Sequence, residues 1–168
     1  VFDVSHMGEI FITGVGTKDF LQFITSNDID KLVNGKVQYS CLPNLDGGIV
    51  DDILVYMIND SSFMLVVNAS NIDKDLAWLN KHNSYDCKID NRSDAYSLLA
   101  VQGPKSLELL SELSESDLSS LNYYTFLQTE ISGIDNIIVS RTGYTGELGF
   151  ELYVLNEQVL NLWNSLFN

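Results

Sequence analysis

Leu45-Asp46-Gly47-Gly48-Ile49-Val50-Asp51-Asp52-Ile53-Leu54-Val55-Tyr56 is the stretch on which the reading of this chain turns. Asp46-Gly47-Gly48 signals a turn, because glycine reaches positive φ without a Cβ clash and aspartate hydrogen-bonds its own backbone. The Ile, Val and Leu run behind it has strand character. Asp51 and Asp52 sit inside that run, and strand alternation sends them to opposite faces. Asp51 goes with Ile49, Ile53 and Val55, and Asp52 with Val50, Leu54 and Tyr56. If both faces are partly covered, at least one carboxylate lies against apolar neighbours. Desolvation then raises its pKa unless hydrogen bonds hold it charged, the setting of many catalytic acids. On an edge strand both are solvated and discourage edge pairing. Taken alone, the stretch favours the edge strand.

Upstream, residues 36–42 form a second strand pattern, and 43–48 join it to 49–58 as a β-hairpin with a longer loop. Downstream, 59–62 turn the chain into a strand over 63–68, which completes a three-stranded meander. Before the meander, 9–13 read as a short strand closed by Gly14 and Gly16. Thr17 then caps a helix whose apolar face is Phe20, Leu21, Phe23 and Ile24. After the meander, Asn68 or Ser70 caps a helix with Ile72, Leu76 and Leu79 on one side and Trp78 near its end, closing at about Asn83. Residues 85–89 are a strand, and Asp90-Asn91-Arg92-Ser93-Asp94 is the candidate hinge. Beyond it, 96–101 are a buried-type strand, and Gln102-Gly103-Pro104 leads into a helix carrying Leu107, Leu109, Leu110 and Leu113. Proline in a first helical turn removes no needed N–H. Strands at 123–131 and 136–141, a glycine-rich loop over 141–149, a strand at 150–155 and a helix from about 156 to the end follow. This order predicts an α+β fold of two small lobes with antiparallel or mixed sheets, 9–91 and 94–168, with 1–8 packing on the second.

The chain has 168 residues, 45% hydrophobic and 19% charged, which is a globular composition. Nine basic against 23 acidic residues give a net charge of −14, which argues against sequence-independent nucleic-acid binding and against anionic membrane surfaces. No apolar run approaches the roughly 20 residues needed to span a bilayer, and no charged-then-apolar leader is present. Cys41 and Cys87 lack CxxC spacing and read as reduced cysteines of an intracellular protein, without a disulfide or zinc site. Val1 opens in a motif-like segment and Asn168 falls inside an amphipathic pattern, so the chain reads as a piece of something longer.

A second informative stretch is Arg141-Thr142-Gly143-Tyr144-Thr145-Gly146-Glu147-Leu148-Gly149-Phe150-Glu151. Its glycines let backbone approach a ligand closely, yet no Gly-Lys-Ser/Thr follows and the loop enters a strand, so it is neither a P-loop nor a dinucleotide fingerprint. Tyr144 offers an aromatic face and a hydroxyl. Glu151 can accept two parallel N–H bonds from a flat heterocycle such as a pterin. A plain hairpin loop with a surface tyrosine and glutamate accounts for the same residues. His6 and His82 are too isolated for a metal site and read as structural. Ser5-His6 is a weak nucleophile–base signal, since neighbours in extended chain point apart. Tyr39 faces either core or ligand, core first, and capping is the plain explanation of Asn68.

Five motifs occur in order: Phe2-Asp3-Val4-Ser5-His6-Met7-Gly8-Glu9, Gly47-Gly48-Ile49-Val50-Asp51-Asp52, Val66-Val67-Asn68-Ala69, Gln102-Gly103-Pro104 and Arg141-Thr142-Gly143-Tyr144-Thr145-Gly146-Glu147. Together, across the whole chain, they resemble the aminomethyltransferase, or T-protein, of the glycine cleavage system. The resemblance implies a partial folate-binding aminomethyltransferase fold, from the N-terminal half of such an enzyme. The C-terminal half, with basic residues that help hold folate, lies outside it. It also implies a one-carbon transfer in which tetrahydrofolate is the acceptor. The lipoyl arm of H-protein donates an aminomethyl group, ammonia leaves, and 5,10-methylene-tetrahydrofolate forms. Asp52 becomes the catalytic residue near the reacting folate nitrogens. Tyr39, Tyr144 and Glu151 surround the folate, Glu151 meeting the pterin, with Met7 and Asn68 as lesser contacts and Asp51 structural. The implied partners are folate and lipoylated H-protein, with no metal, nucleic acid or membrane, in the cytoplasm or, for a eukaryotic source, the mitochondrial matrix. Related folds imply alternatives: a folate-dependent demethylase, the folate domain of a methylamine dehydrogenase, or a non-catalytic folate-binding regulatory protein. Two features depart from the family. Leu148 stands where aspartate is usual, and the acidity sits awkwardly with anionic folate and an acidic H-protein.

Overall fold

Asn44 closes the turn that precedes the two aspartates. Its backbone N–H donates to the Gly48 carbonyl at 2.8 Å, and its side-chain oxygen accepts from the N–H groups of Asp46 and Gly48 at 3.0 and 2.8 Å. Gly47 there has φ +81°, a conformation that costs glycine little. This computed structural model describes residues 1–167. Its elements in chain order are β1 (Phe2–Asp3), β2 (Gly8–Thr13), α1 (Thr17–Ile24), β3 (Val37–Pro43), β4 (Ile49–Asn59), β5 (Ser62–Val67), α2 (Ile72–His82), β6 (Lys88–Asn91), β7 (Tyr96–Gln102), α3 (Ser106–Leu113), β8 (Phe126–Ile131), β9 (Ile134–Ser140), β10 (Gly149–Leu155) and α4 (Asn156–Ser165). The helix expected to run to the chain end closes at Ser165, and Asn168 lies outside the described residues.

The chain divides into two compact α+β units, Met7–Ser93 and Val1–His6 with Asp94 onward. Gly8 opens β2, so Met7 and Gly8 belong to the first of these and not to the segment expected with the other lobe. The first unit carries a sheet of order β3-β4-β5-β2-β6 and the second one of order β1-β7-β10-β9-β8. Every strand pairing in both is antiparallel. Although β4 lies between β3 and β5, its pairing with β5 begins at Leu54, so the Asp51-Asp52 stretch pairs with β3 alone. The expectation of solvated aspartates holds for the exposed Asp52 and is corrected for Asp51, which is buried.

In the first unit Ile10, Ile12, Ile53, Val55, Phe63 and Leu65 turn one sheet face toward Phe20, Leu21 and Leu79 of the helices. Each fully buried side chain of this size contributes roughly 1.5–3 kcal/mol, so this face sets the register of β4. The second unit repeats the arrangement with Leu99, Val101, Ile137, Val139, Leu152 and Val154 against Leu110 and Leu162.

Several elements differ from expectation for local reasons. Thr17 is the first helical residue and Gly16 holds the cap position without a side-chain bond. Pro104 precedes α3 instead of lying in its first turn. The strand expected from 85 starts at Lys88, because Asp86 has φ +55° and the Tyr85 ring packs near Phe20 and Phe23 at 5.7 and 5.8 Å. The strand expected from 123 starts at Phe126, since Tyr124 has φ +61°. β9 begins two residues early, at Ile134, behind Ser132 and Gly133, both at positive φ as a tight two-residue hairpin turn requires.

Candidate active site

On β4 the alternation of faces separates the two aspartates. Asp52 is exposed, whereas Asp51 is 5% exposed on the core side with Ile53 and Val55. Cross-strand pairing sets Cys41 opposite Asp52 and Tyr39 opposite Leu54, so Tyr39 and Asp52 share a face one diagonal apart. The Tyr39 hydroxyl donates to Asp52 Oδ2 at 3.1 Å, and the carboxylate pushes the phenol pKa up. Tyr39 is half exposed, so the open alternative between ligand and core resolves toward the surface that Asp52 occupies.

Asn68 completes the cluster from the end of β5. Its Nδ2 donates to Asp51 Oδ1 at 2.9 Å, to Asp52 Oδ1 at 3.1 Å and to the Asp52 carbonyl at 3.0 Å. An amide nitrogen has two protons, so one serves Asp51 and the other is shared by the two Asp52 oxygens. The plain explanation of Asn68 as a helix cap is thereby corrected. It makes no side-chain cap bond, because its carboxamide is committed to the aspartates. Asp51 also accepts from the Asn68 backbone N–H at 3.1 Å and from Asn71 Nδ2 at 2.6 Å. Burial pushes Asp51 up, but hydrogen bonds from Asp75, Asn68 and Asn71 outweigh it and hold the carboxyl below the usual range. Met7, half-buried ahead of β2, stands outside this hydrogen-bonded cluster.

Asp75 is a residue that sequence reasoning missed. It is fully buried on α2, and burial with the Asp51 contact raises its pKa to about 8. A signal was present, because Ile72, Asp75, Leu76 and Leu79 share the helical spacing of one face, and an aspartate in an apolar stripe needs a partner. Glu9 was missed as well. It sits on β2 opposite Val66, is 1% exposed, and burial pushes it up to about 8.

In the second unit, Tyr123, Arg141, Thr142, Gly143, Tyr144 and Gly146 are among the residues lining an open groove of about 530 Å³. Gln102, at the end of β7, pins the loop behind it. Its Nε2 donates to the carbonyls of Thr142 and Phe150 at 3.2 and 3.1 Å, and its Oε1 accepts from the Thr145 hydroxyl at 3.3 Å. Gly143 has φ +132°, and the Tyr123 hydroxyl donates to its carbonyl at 3.0 Å. Tyr144 is 97% exposed at the loop tip. Glu151, on β10, accepts from the Thr142 hydroxyl, and burial pushes its pKa up against that bond. Leu148 packs against the unit's core while its carbonyl accepts from Gly103 N and Ser106 Oγ at 2.8 and 3.0 Å. This departure from the family pattern therefore fills an apolar position.

The residues set aside earlier lie elsewhere. Ser5 bonds Asp3 at 2.6 Å and the backbone N–H of Leu98 at 3.1 Å. The His82 ring lies 4.1 Å from Trp78, with Nδ1 2.9 Å from the Trp78 carbonyl.

The architecture is that of the N-terminal portion of an aminomethyltransferase. The solved structure of glycine cleavage system aminomethyltransferase T from Bartonella henselae matches with a TM-score of 0.90 at 30% identity, over 99% of this chain and 45% of that one. The family model described as GCVT N-terminal domain matches residues 1–168, and the chain belongs to that family. It is 53% identical over 167 residues to a protein named aminomethyltransferase from Flavobacterium psychrophilum and 50% identical to one from Bacteroides fragilis. Each match covers 99% of this chain and 46% of the relative, so the chain spans about half the length of these curated relatives. A heterotetrameric sarcosine oxidase from Corynebacterium sp. U-96, solved in complex with pyrrole 2-carboxylate, shares the fold over 98% of this chain and 79% of that one, with a TM-score of 0.72 and 16% identity. The resemblance read from the five motifs is borne out.

Proposed function

We propose that the protein carrying this chain transfers an aminomethyl group from the lipoyl arm of an H-protein to tetrahydrofolate, releasing ammonia and forming 5,10-methylene-tetrahydrofolate. The observation that carries this reading is the Asp52 carboxylate, exposed on β4 with one oxygen held by Tyr39 and the other by Asn68. A carboxylate fixed on both oxygens needs no reorganisation when positive charge develops on the carbon and nitrogen atoms beside it. Asp52 orients the folate nitrogens and stabilises the iminium character that grows as the carbon leaves sulfur and ammonia departs. Tyr39 and Asn68 hold it, and Met7 contributes apolar contact. Tyr144 supplies an aromatic face for the folate. Glu151 accepts N–H bonds from the pterin, a role that its single hydroxyl donor leaves room for. Among the described residues no helix is long and apolar enough to cross a membrane, and a cytoplasmic location belongs to this proposal. Groups beyond this chain, or a local basic patch, meet the anionic folate tail and the acidic partner.

The test is Asp52→Ala in the full-length protein, with lipoylated H-protein and tetrahydrofolate supplied. Turnover falls by about three orders of magnitude, the scale of losing a preorganised electrostatic group, while calorimetry shows folate affinity changed by less than about threefold. Wild-type turnover in this variant refutes the reading. Glu151→Ala instead weakens folate binding, and an unchanged dissociation constant rejects its role.

A further inference from the structure

Behind the exposed cluster lies a second, buried one. Asp75 projects from α2 toward β4, fully buried, and neither of its carboxyl oxygens receives an N–H. It meets the carboxyl of Asp51 instead. Two bare carboxylates in contact repel, so the pair holds a proton between them. Asp51 has three N–H donors, from Asn68 N, Asn68 Nδ2 and Asn71 Nδ2, all of which favour its charge. Asp75 has none, so the proton belongs to Asp75 and its O–H donates to Asp51.

We propose that Asp75, as a neutral acid, and Asp51 are positioning residues for Asp52, acting through the Asn68 carboxamide. The inference rests on the reading of Asp52 as the reacting carboxylate. Asn68 Nδ2 has two protons, and its bond to Asp51 commits one of them and leaves the other for the carboxylate and carbonyl of Asp52. If Asp51 swings away, the carboxamide loses one of its fixed acceptors and is held by Asp52 alone, so the N–H on the Asp52 carboxylate is less firmly set. Asp75 prevents that swing by giving Asp51 a fixed donor from the helix side. The chain from Asp75 through Asp51 and Asn68 to Asp52, with Tyr39 on the far oxygen, lies within one unit.

The proton on Asp75 makes the arrangement sensitive to pH. The groups facing it are Asp51 from β4 and Lys74 from its own helix, whose ammonium donates to the Val50 carbonyl at 2.6 Å. On β6, Lys88 and Asp90 pair with each other at 3.7 Å. Ionisation of Asp75, centred near pH 8, places two charges against each other and loosens Asp51.

The experiment compares wild type, Asp75→Asn, Asp75→Ala and Asp52→Asn in the full-length protein. It measures kcat, folate KM and pH profiles, with ¹⁵N-edited NMR of the Asn68 side-chain amide. Asp75→Asn, whose carboxamide donates to Asp51 at any pH, recovers most of the turnover that Asp75→Ala loses and removes the alkaline fall in kcat. Asp75→Ala lowers kcat about tenfold or more, the scale of a loosened constellation, with folate KM within about twofold, and shifts the Asn68 amide resonances. A purely structural role would leave the pH profile of Asp75→Asn like that of wild type, and that result overturns the inference. Wild-type kcat in Asp75→Ala overturns it too. Where the alanine variant does not fold, the asparagine profile decides alone. Wild-type turnover in Asp52→Asn would refute the assignment of Asp52 instead, and the Asn68 resonances then still report whether Asp75 holds the carboxamide.

Discussion

Replacing Glu9 by glutamine flattens the dependence of folding stability on pH. Glu9 is 1% exposed on β2, with Val66 directly across, and neither carboxyl oxygen has a hydrogen-bond partner. Burial alone lifts its pKa from 4.5 to about 8. A folded-state pKa above the unfolded one means that the folded chain binds an extra proton between those values. The contribution to stability is therefore complete below pH 4.5 and is lost as pH rises toward 8. At 1.36 kcal/mol per pKa unit the full span is about 5 kcal/mol, an upper bound, and local opening that admits water reduces it to about 2–4 kcal/mol. Glutamine carries no such titration. At pH 5 it resembles the protonated acid, so the two proteins differ by less than about 1 kcal/mol. At pH 8.5 the variant is the more stable by about 2–4 kcal/mol. Asp75 tilts the pH dependence in the same sense, but it is common to both proteins and cancels in their difference. Urea unfolding of wild type and Glu9→Gln at half-unit steps from pH 5 to 9 measures that difference. A difference constant across the range to within about 0.5 kcal/mol refutes the reasoning.

Two further outcomes follow from the second unit. Gly149→Ala sets a Cβ 1.8 Å from the Gln102 side-chain oxygen, so the clamp on the 141–149 loop must shift. We expect a loss of about 1–3 kcal/mol with weakened folate binding, and unchanged unfolding midpoint and dissociation constant would reject the clamp. In the proposed contact with the pterin, Glu151 accepts two N–H bonds as a carboxylate, and burial raises its pKa above the ordinary 4.5 in the free protein. Folate affinity therefore falls as pH drops through that raised value, and a Kd by calorimetry that is flat down to pH 4.5 would count against the contact.

The alternation of apolar residues makes most of the fold legible in the sequence, because buried faces leave a period that short windows preserve. The meander of β3, β4 and β5 and the strand–helix order of both units follow from it. Backbone conformation was the harder part. Asp86 and Tyr124 adopt positive φ without being glycine, and each delays a strand by about three residues where side-chain pattern predicts it already running. Nor does a local window say which strand is interior. β4 has its position because β5 pairs with it on one side and β3 on the other, and β2 then pairs with β5, a contact between residues far apart in the chain, such as Gly8 and Val67.

That placement decides what two identical side chains become. Asp51 and Asp52 have the same intrinsic acidity and adjacent positions, so nothing within the dipeptide distinguishes them. Strand period sends one to each face, but only the neighbours assign the roles. On the helix side, the turn after β5 brings Asn68 and Asn71 to Asp51, and α2 brings Asp75. These partners keep Asp51 charged despite burial, which makes it a fixed anion around which donors arrange. On the open side, Asp52 meets Tyr39 and the shared proton of Asn68 and remains exposed. Asn68 touches both carboxylates, so its geometry cannot satisfy one independently of the other. The resemblance to a family marked Asp52 for chemistry and Asp51 for structure, but the two are mechanically coupled. Asp51→Ala, which removes only the buried carboxylate, therefore disturbs the donor on the exposed one through Asn68, and Asn68 side-chain amide resonances unchanged by that substitution in ¹⁵N-edited NMR would refute the coupling.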